Sequence, residues 1–129
     1  MHIKFMTAAL ALAAIFTVPS IAEAAEATNG ETSFKAKCAL CHESNAGKHK
    51  VGPSLFGVAG RRAGAADGFQ LYRGLKDADW TWDDSALDAY LSDPVQYTKD
   101  KTGKSAGMVL KLTSAQERAD VIAFLKTLK

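Results

Sequence analysis

Five consecutive residues, Cys38-Ala39-Leu40-Cys41-His42, constrain this chain more than any other feature. Two thiols three positions apart lie on one side of a helical turn. They can add to the two vinyl groups along one edge of a porphyrin. His42 is then carried beneath the ring with its imidazole aimed at the iron. C-x-x-C-H is the spacing of covalent haem attachment. Neutral imidazole is a good axial ligand, and the hydrogen bond made by its other nitrogen sets its orientation.

Three other chemistries use a close cysteine pair. Cys38 and Cys41 could form a disulfide in an oxidising compartment. A thioredoxin-like redox motif expects a preceding strand in a βαβ unit, and no strand reads there. Zinc sites usually place H-x(3–5)-H well after the cysteines, whereas six residues separate His42 from His49. The N-terminus favours haem. A short basic lead (His2, Lys4) precedes an apolar run, Phe5 to Val18, broken only by Thr7 and Thr17. Small residues follow, ending in Ala22-Glu23-Ala24-Ala25. This is the order of a secretory signal peptide. The run is shorter than the about 20 residues that span a bilayer, so no stable membrane insertion is expected. The rival reading is an uncleaved anchor. The expected division is a cleaved signal peptide at 1–24, with Ala22 as the other cleavage candidate, and one domain at 25–129. Bacterial c-type haem is attached outside the cytoplasm, so export and motif support each other, and the expected location is the periplasm.

The exported part keeps few residues that hold a transition metal: Cys38, Cys41, His42, His49 and Met108. Met108 is the only methionine left, in a stretch between helices. His49 is expected to be exposed. Charge is nearly balanced, with a net +2, and nothing suggests nucleic acid. The charges are unevenly spread. Lys76 to Pro94 carries Asp77, Asp79, Asp83, Asp84, Asp88 and Asp93, while Val95 to Lys111 carries Lys99, Lys101, Lys104 and Lys111 against Asp100. Such runs are solvated faces or a dipole that orients a partner.

The pattern predicts an all-α fold with long loops. Phe34, Cys38 and Cys41 recur at helical spacing, giving a first helix over 30–43. Residues 44–70 are rich in glycine, which rules out long regular elements and suits a chain wrapped around a flat cofactor. Thr81-Trp82-Asp83-Asp84 reads as a helix start, with Leu87, Tyr90 and Leu91 facing inward and Pro94 as the limit. Residues 95–107 read as a loop. Thr113 or Ser114 caps a last helix through Gln116 or Glu117, and Val121, Phe124, Leu125 and Leu128 give it an apolar face.

In that order the chain resembles the class I c-type cytochromes. Within them it is similar to the soluble bacterial proteins of the c-two type, close to mitochondrial cytochrome c. The likeness runs from Gly30 to Leu128. It rests on Gly30, Phe34 and the motif at 38–42, on Val51 to Gly57, on Gly60-Arg61-Arg62-Ala63-Gly64, on Gly68-Phe69, on Thr81-Trp82 with Leu87, Tyr90, Leu91 and Pro94, and on Glu117 to Leu125. It implies the small single-haem fold, N- and C-terminal helices packed together and loops wrapping the haem. It implies one covalent haem c, ligated by His42 and Met108. Pro53 would accept from the second nitrogen of His42. Arg61 and Trp82 would hydrogen-bond a propionate, and Tyr90 would lie near the Met108 sulfur. Gly30 and Phe34 would pack against Phe124. Two departures stand out. The family tyrosine after glycine-phenylalanine is Leu71 here, with Tyr72 next. The stretch before Met108 is long and lacks the usual proline.

The resemblance further implies a monomeric electron carrier and not an enzyme, because two filled axial positions leave no room for oxygen or peroxide chemistry. A cytochrome bc complex would be the donor. A terminal oxidase, a photosynthetic reaction centre or a dehydrogenase chain would be the other partner. These would dock weakly and salt-sensitively on lysines including Lys48, Lys50, Lys99, Lys101 and Lys104. The alternative is a haem-based sensor or peroxidase-like enzyme with an open sixth position, should Met108 not bind.

Overall fold

The computed structural model describes residues 24–129. The expected signal peptide lies outside the described residues, apart from Ala24. Four helices follow one another: α1 (Ala27–Ser33), α2 (Asp84–Ser92), α3 (Pro94–Thr102) and α4 (Ala115–Leu125). Among the described residues the extended pairing is a single bridge, Arg62 with Thr81. The architecture is all-α with long loops.

α1 starts earlier and ends sooner than the helix expected over 30–43. It runs into one π-helical turn, Phe34–Cys38, closed by Ala39 N–H donating to the Phe34 carbonyl at 2.9 Å. The Cys38 carbonyl then accepts from both Cys41 (3.0 Å) and His42 (2.9 Å), which tightens the chain into a turn and stops the helix. Helical spacing of apolar residues is the same in a helix and in such a turn, so periodicity ran past the true end.

α4 crosses α1 at its thinnest point. A Cβ on Gly30 would run into the Asp120 carbonyl and the Phe124 side chain. Phe34 and Phe124 meet with ring centroids 5.2 Å apart. The buried Asp120 carboxylate takes the Glu26 N–H at 2.8 Å. It thereby caps α1 from another helix, since Glu26 itself provides no capping side chain. Ser114 caps α4 by accepting from Glu117 N–H at 3.2 Å. α2 is capped by Asp83, which accepts from Ala86 N–H at 2.7 Å. Leu87, Leu91, Leu112, Val121, Ile122 and Leu125 are buried in one hydrophobic core to which α2 and α4 both contribute.

Residues 94–102 correct the expected loop: they form α3. Pro94 ends α2 but sits at the first position of α3, where its missing N–H costs nothing. Asp93 caps the new helix by accepting from Gln96 N–H at 3.0 Å. Gly103, left-handed at φ 70°, closes it. Tyr97 and Thr98 turn inward while the lysines face out. A helix so polar carries little periodic signal. The acidic face is also less free than its sequence suggests. Asp84 pairs with Lys126 at 2.8 Å, Asp88 with Arg118 at 2.7 Å, and Asp93 with Lys111.

Candidate haem site

His42 leaves the Cys38 turn and is met at once by the next loop. Gly52 N–H donates to the Cys41 carbonyl at 2.8 Å, which folds residues 52–53 beneath the imidazole. The Pro53 carbonyl lies 2.7 Å from His42 Nδ1, so Nδ1 carries the hydrogen and Nε2 is left with its lone pair free. A Cβ on Gly52 would overlap the ring. Burial holds His42 below its ordinary range; the Pro53 bond opposes this and the Arg61 charge adds to it. The imidazole is therefore neutral, as a ligand must be. Lys50 pins the motif by donating to the Ala39 carbonyl at 2.7 Å and pairing with Glu43 at 3.1 Å.

Cys38 is buried and Cys41 exposed, and the two are not disulfide-bonded. Burial pushes the Cys38 thiol up to about 11, with the Glu117 charge adding and Lys37 opposing. That direction is opposite to the depressed thiol of a redox dithiol. Among the described residues no three His, Cys, Asp or Glu side chains gather as metal ligands. The zinc reading has no ligand set there.

His49 is half-buried, which corrects the expected exposure. Ser54 N–H donates to its Nδ1 at 2.9 Å, and its Nε2 meets the Asp67 carbonyl at 2.8 Å. Since Nδ1 must accept, Nε2 donates. Both nitrogens are engaged in tying two loops together.

Arg61 donates to the carbonyls of Phe56 (3.0 Å) and Ser54 (3.1 Å). Its buried Nε has no partner among the described residues. Trp82 is core, and it packs on Tyr90 with centroids 4.8 Å apart. Burial, with a smaller contribution from Tyr72, pushes the Tyr90 phenol up to about 12. Leu71 is 72% exposed. Tyr72 instead turns inward, edge-on to Phe69 at 4.9 Å, its hydroxyl accepting from Ala66 N–H at 2.8 Å. Two members of this aromatic group were not singled out from sequence. Trp80 stands at 90° to Trp82, and Tyr97 meets Trp80, Trp82 and Tyr90. The signal for Trp80 was its spacing of two from Trp82 across extended chain. For Tyr97 it was hidden in the unrecognised α3. Met108 is half-buried and packs against the core cluster.

These residues fit a haem. An unpartnered buried guanidinium Nε needs an acceptor of the kind a propionate offers. The bare backbone at Gly52 lets the chain close under the His42 imidazole. Two unbonded cysteines sit on the turn that carries it.

The sequence profile of the cytochrome c family matches residues 27–129. The chain belongs to the cytochrome c family. It is 42% identical to cytochrome c2 of Pararhodospirillum photometricum over 113 residues, covering 82% of this chain and all of that one. It is 41% identical to a cytochrome c2 of Rhodopseudomonas palustris, covering 81% and 99%. The solved cytochrome c2 of Rhodospirillum centenum superposes with a TM-score of 0.73 at 35% identity, covering 81% of this chain and 98% of that one. This cytochrome c is of the c2 type: a mono-haem electron carrier with covalently attached haem c. No helix among its described residues is long and apolar enough to cross a membrane.

Proposed function

We propose that this cytochrome carries single electrons in the periplasm, with haem attached at Cys38 and Cys41 and ligated by His42 and Met108. Haem held by Cys38, Cys41, His42 and Met108 would supply a one-electron couple. The observation that carries the reading is the His42–Pro53 hydrogen bond of 2.7 Å. It leaves Nε2 as the free ligand nitrogen and makes the imidazole more basic. Met108 supplies a thioether, which raises the potential relative to a second imidazole. Arg61, through its unpartnered Nε, and Trp82 bind the propionate edge. Tyr90 would lie near the Met108 sulfur, and Pro53 sets the tautomer of His42.

The chain is not an enzyme in this reading. Signal peptidase removes residues 1–24, and the domain at 25–129 works as a monomer, without nucleic acid or stable membrane insertion. The family match beginning at residue 27 supports that division. The donor is a cytochrome bc complex, and the other partner is a terminal oxidase, a reaction centre or a dehydrogenase chain. Docking uses lysines. Lys99 and Lys104 are partly engaged with the Gly103 and Lys76 carbonyls, and Lys101 lies over Trp80 and Tyr97.

The test is the visible spectrum of the purified periplasmic protein, oxidised and then reduced. c-type bands are expected, with the weak near-red band of methionine sulfur on ferric iron. That band should vanish in Met108→Ala. Haem without the band would transfer the protein to the sensor or peroxidase-like reading with an open sixth position.

A further inference from the structure

Met108 lies on a stretch without regular structure, since α3 ends at Thr102 and α4 begins at Ala115. What holds the run into it comes from a distant turn, Arg73 to Lys76. At Gly74 the backbone is left-handed, with φ 72°. A Cβ there would stand 2.5 Å from the Ser105 carbonyl oxygen and 2.5 Å from Thr98 Cγ2. Arg73 Cβ lies 3.2 Å from where a Cβ on Gly107 would be. Lys104 Nζ donates to the Lys76 carbonyl at 3.2 Å. Residues 104, 105 and 107 are thus each met by residues 73–76, immediately before the sulfur-bearing residue. Thr98 is fully buried, and its carbonyl accepts from Thr102 Oγ1 at 2.8 Å.

Two backbones come this close only where a side chain is missing, and a left-handed turn at the contact adds a second demand for glycine. The contact binds together segments about thirty positions apart in sequence. It lies on the long, proline-free approach to Met108, where the chain has least of its own to fix it.

We propose that Gly74 is a positioning residue for the Met108 sulfur, the 73–76 turn being the abutment against which the 104–107 run is seated. The proposal rests on the reading of Met108 as axial ligand. Opening the sulfur position then requires lifting 104–107 off that turn. Whatever crowds the turn raises the population of the open state, and an exogenous iron ligand reports that population directly.

The experiment uses the holoprotein in four forms: unaltered, Gly74→Ala, Gly47→Ala and Lys104→Met. Gly47 is left-handed at φ 68° with nothing within 4 Å of a new Cβ. Alanine there carries the same backbone strain without the collision. Cyanide affinity of the ferric protein and the near-red band are read in each. Gly74→Ala should bind cyanide about tenfold more tightly, with a weakened band, Gly47→Ala should stay within about twofold, and Lys104→Met should gain about threefold. Equal affinities in Gly74→Ala and Gly47→Ala overturn the proposal. If Gly74→Ala fails to take up haem, Lys104→Met decides: an unchanged affinity overturns it, and a gain supports it. A near-red band absent from the unaltered protein, with Met108→Ala giving the same spectrum, instead overturns the ligand reading, and the proposal falls with it.

Discussion

His42 Nδ1 and the Pro53 carbonyl oxygen are 2.7 Å apart, and the chain reaches that contact only because Gly52 presents bare backbone to the same ring. One hydrogen bond therefore fixes a tautomer, a ring orientation and the path of the loop beneath. The Nε2 edge of the imidazole is left free by protein contacts alone.

A methyl group at position 52 should disturb all three. Gly52→Ala places its Cβ into the His42 ring, and the ring or the loop has to move. A cost of about 1–3 kcal/mol is expected, the range of overpacking at a well-filled site. Guanidinium unfolding of the holoprotein reads it as a lower midpoint at unchanged slope. An unshifted midpoint would show that the ring has room the contact geometry denies.

The crossing of α1 and α4 makes a comparable demand at Gly30. Alanine there meets the Asp120 carbonyl, which is backbone and has nowhere to go. The helices must separate, loosening the Phe34–Phe124 contact of 5.2 Å. Gly30→Ala should destabilise by about 3 kcal/mol despite alanine's better helix propensity. A thermal melt in which this variant is more stable would refute the close approach.

Much of this was legible in the sequence, and the reasons differ by residue. Cys38, Cys41 and His42 stand out by their C-x-x-C-H spacing, and the structure gathers them on one tight turn. Gly30, Phe34 and Phe124 follow from amphipathic periodicity and resemblance. α3 was missed because its helix-forming signals are caps rather than an apolar stripe: Asp93, Pro94 at the first position and Gly103 in the left-handed region. His49 was misplaced because a histidine whose two nitrogens serve backbone groups of two loops leaves no local pattern. The inward turn of Tyr72 in place of Leu71 is a one-residue offset in extended chain, where alternation decides the facing and no helix averages it out.

Tyr90 gives a pH dependence of definite sign. Burial pushes its phenol up to about 12 from an ordinary value of 10.0. The folded state therefore holds its proton more tightly than the unfolded chain. The stabilisation is complete below pH 10 and is lost as pH rises through the interval to about 12. Tyr90→Phe should flatten that part of the stability curve and leave the neutral range little changed. Denaturant midpoints between pH 8 and 11.5, taken in parallel on both proteins, provide the check. An identical alkaline fall in both would move the effect to another group.

Arg61 holds the loop after His42 by donating to the Ser54 and Phe56 carbonyls, and its buried Nε has no partner among the described residues. Two separate consequences follow from removing it. Arg61→Gln leaves carbonyls without their charged donor, costing about 2–4 kcal/mol. In the proposed reading, with Arg61 at the propionate edge, it also removes a positive charge near the haem. The oxidised centre is the more positive of the two states, so its relative stability improves and the potential falls. Lysine keeps the charge but not the three-way fork. Arg61→Lys should therefore retain most of the potential while losing most of the stability. A potentiometric titration beside a denaturant melt separates the two effects. If Lys and Gln variants lose potential equally, charge is not what Arg61 contributes. If neither loses stability, the two carbonyl contacts are not what holds the loop.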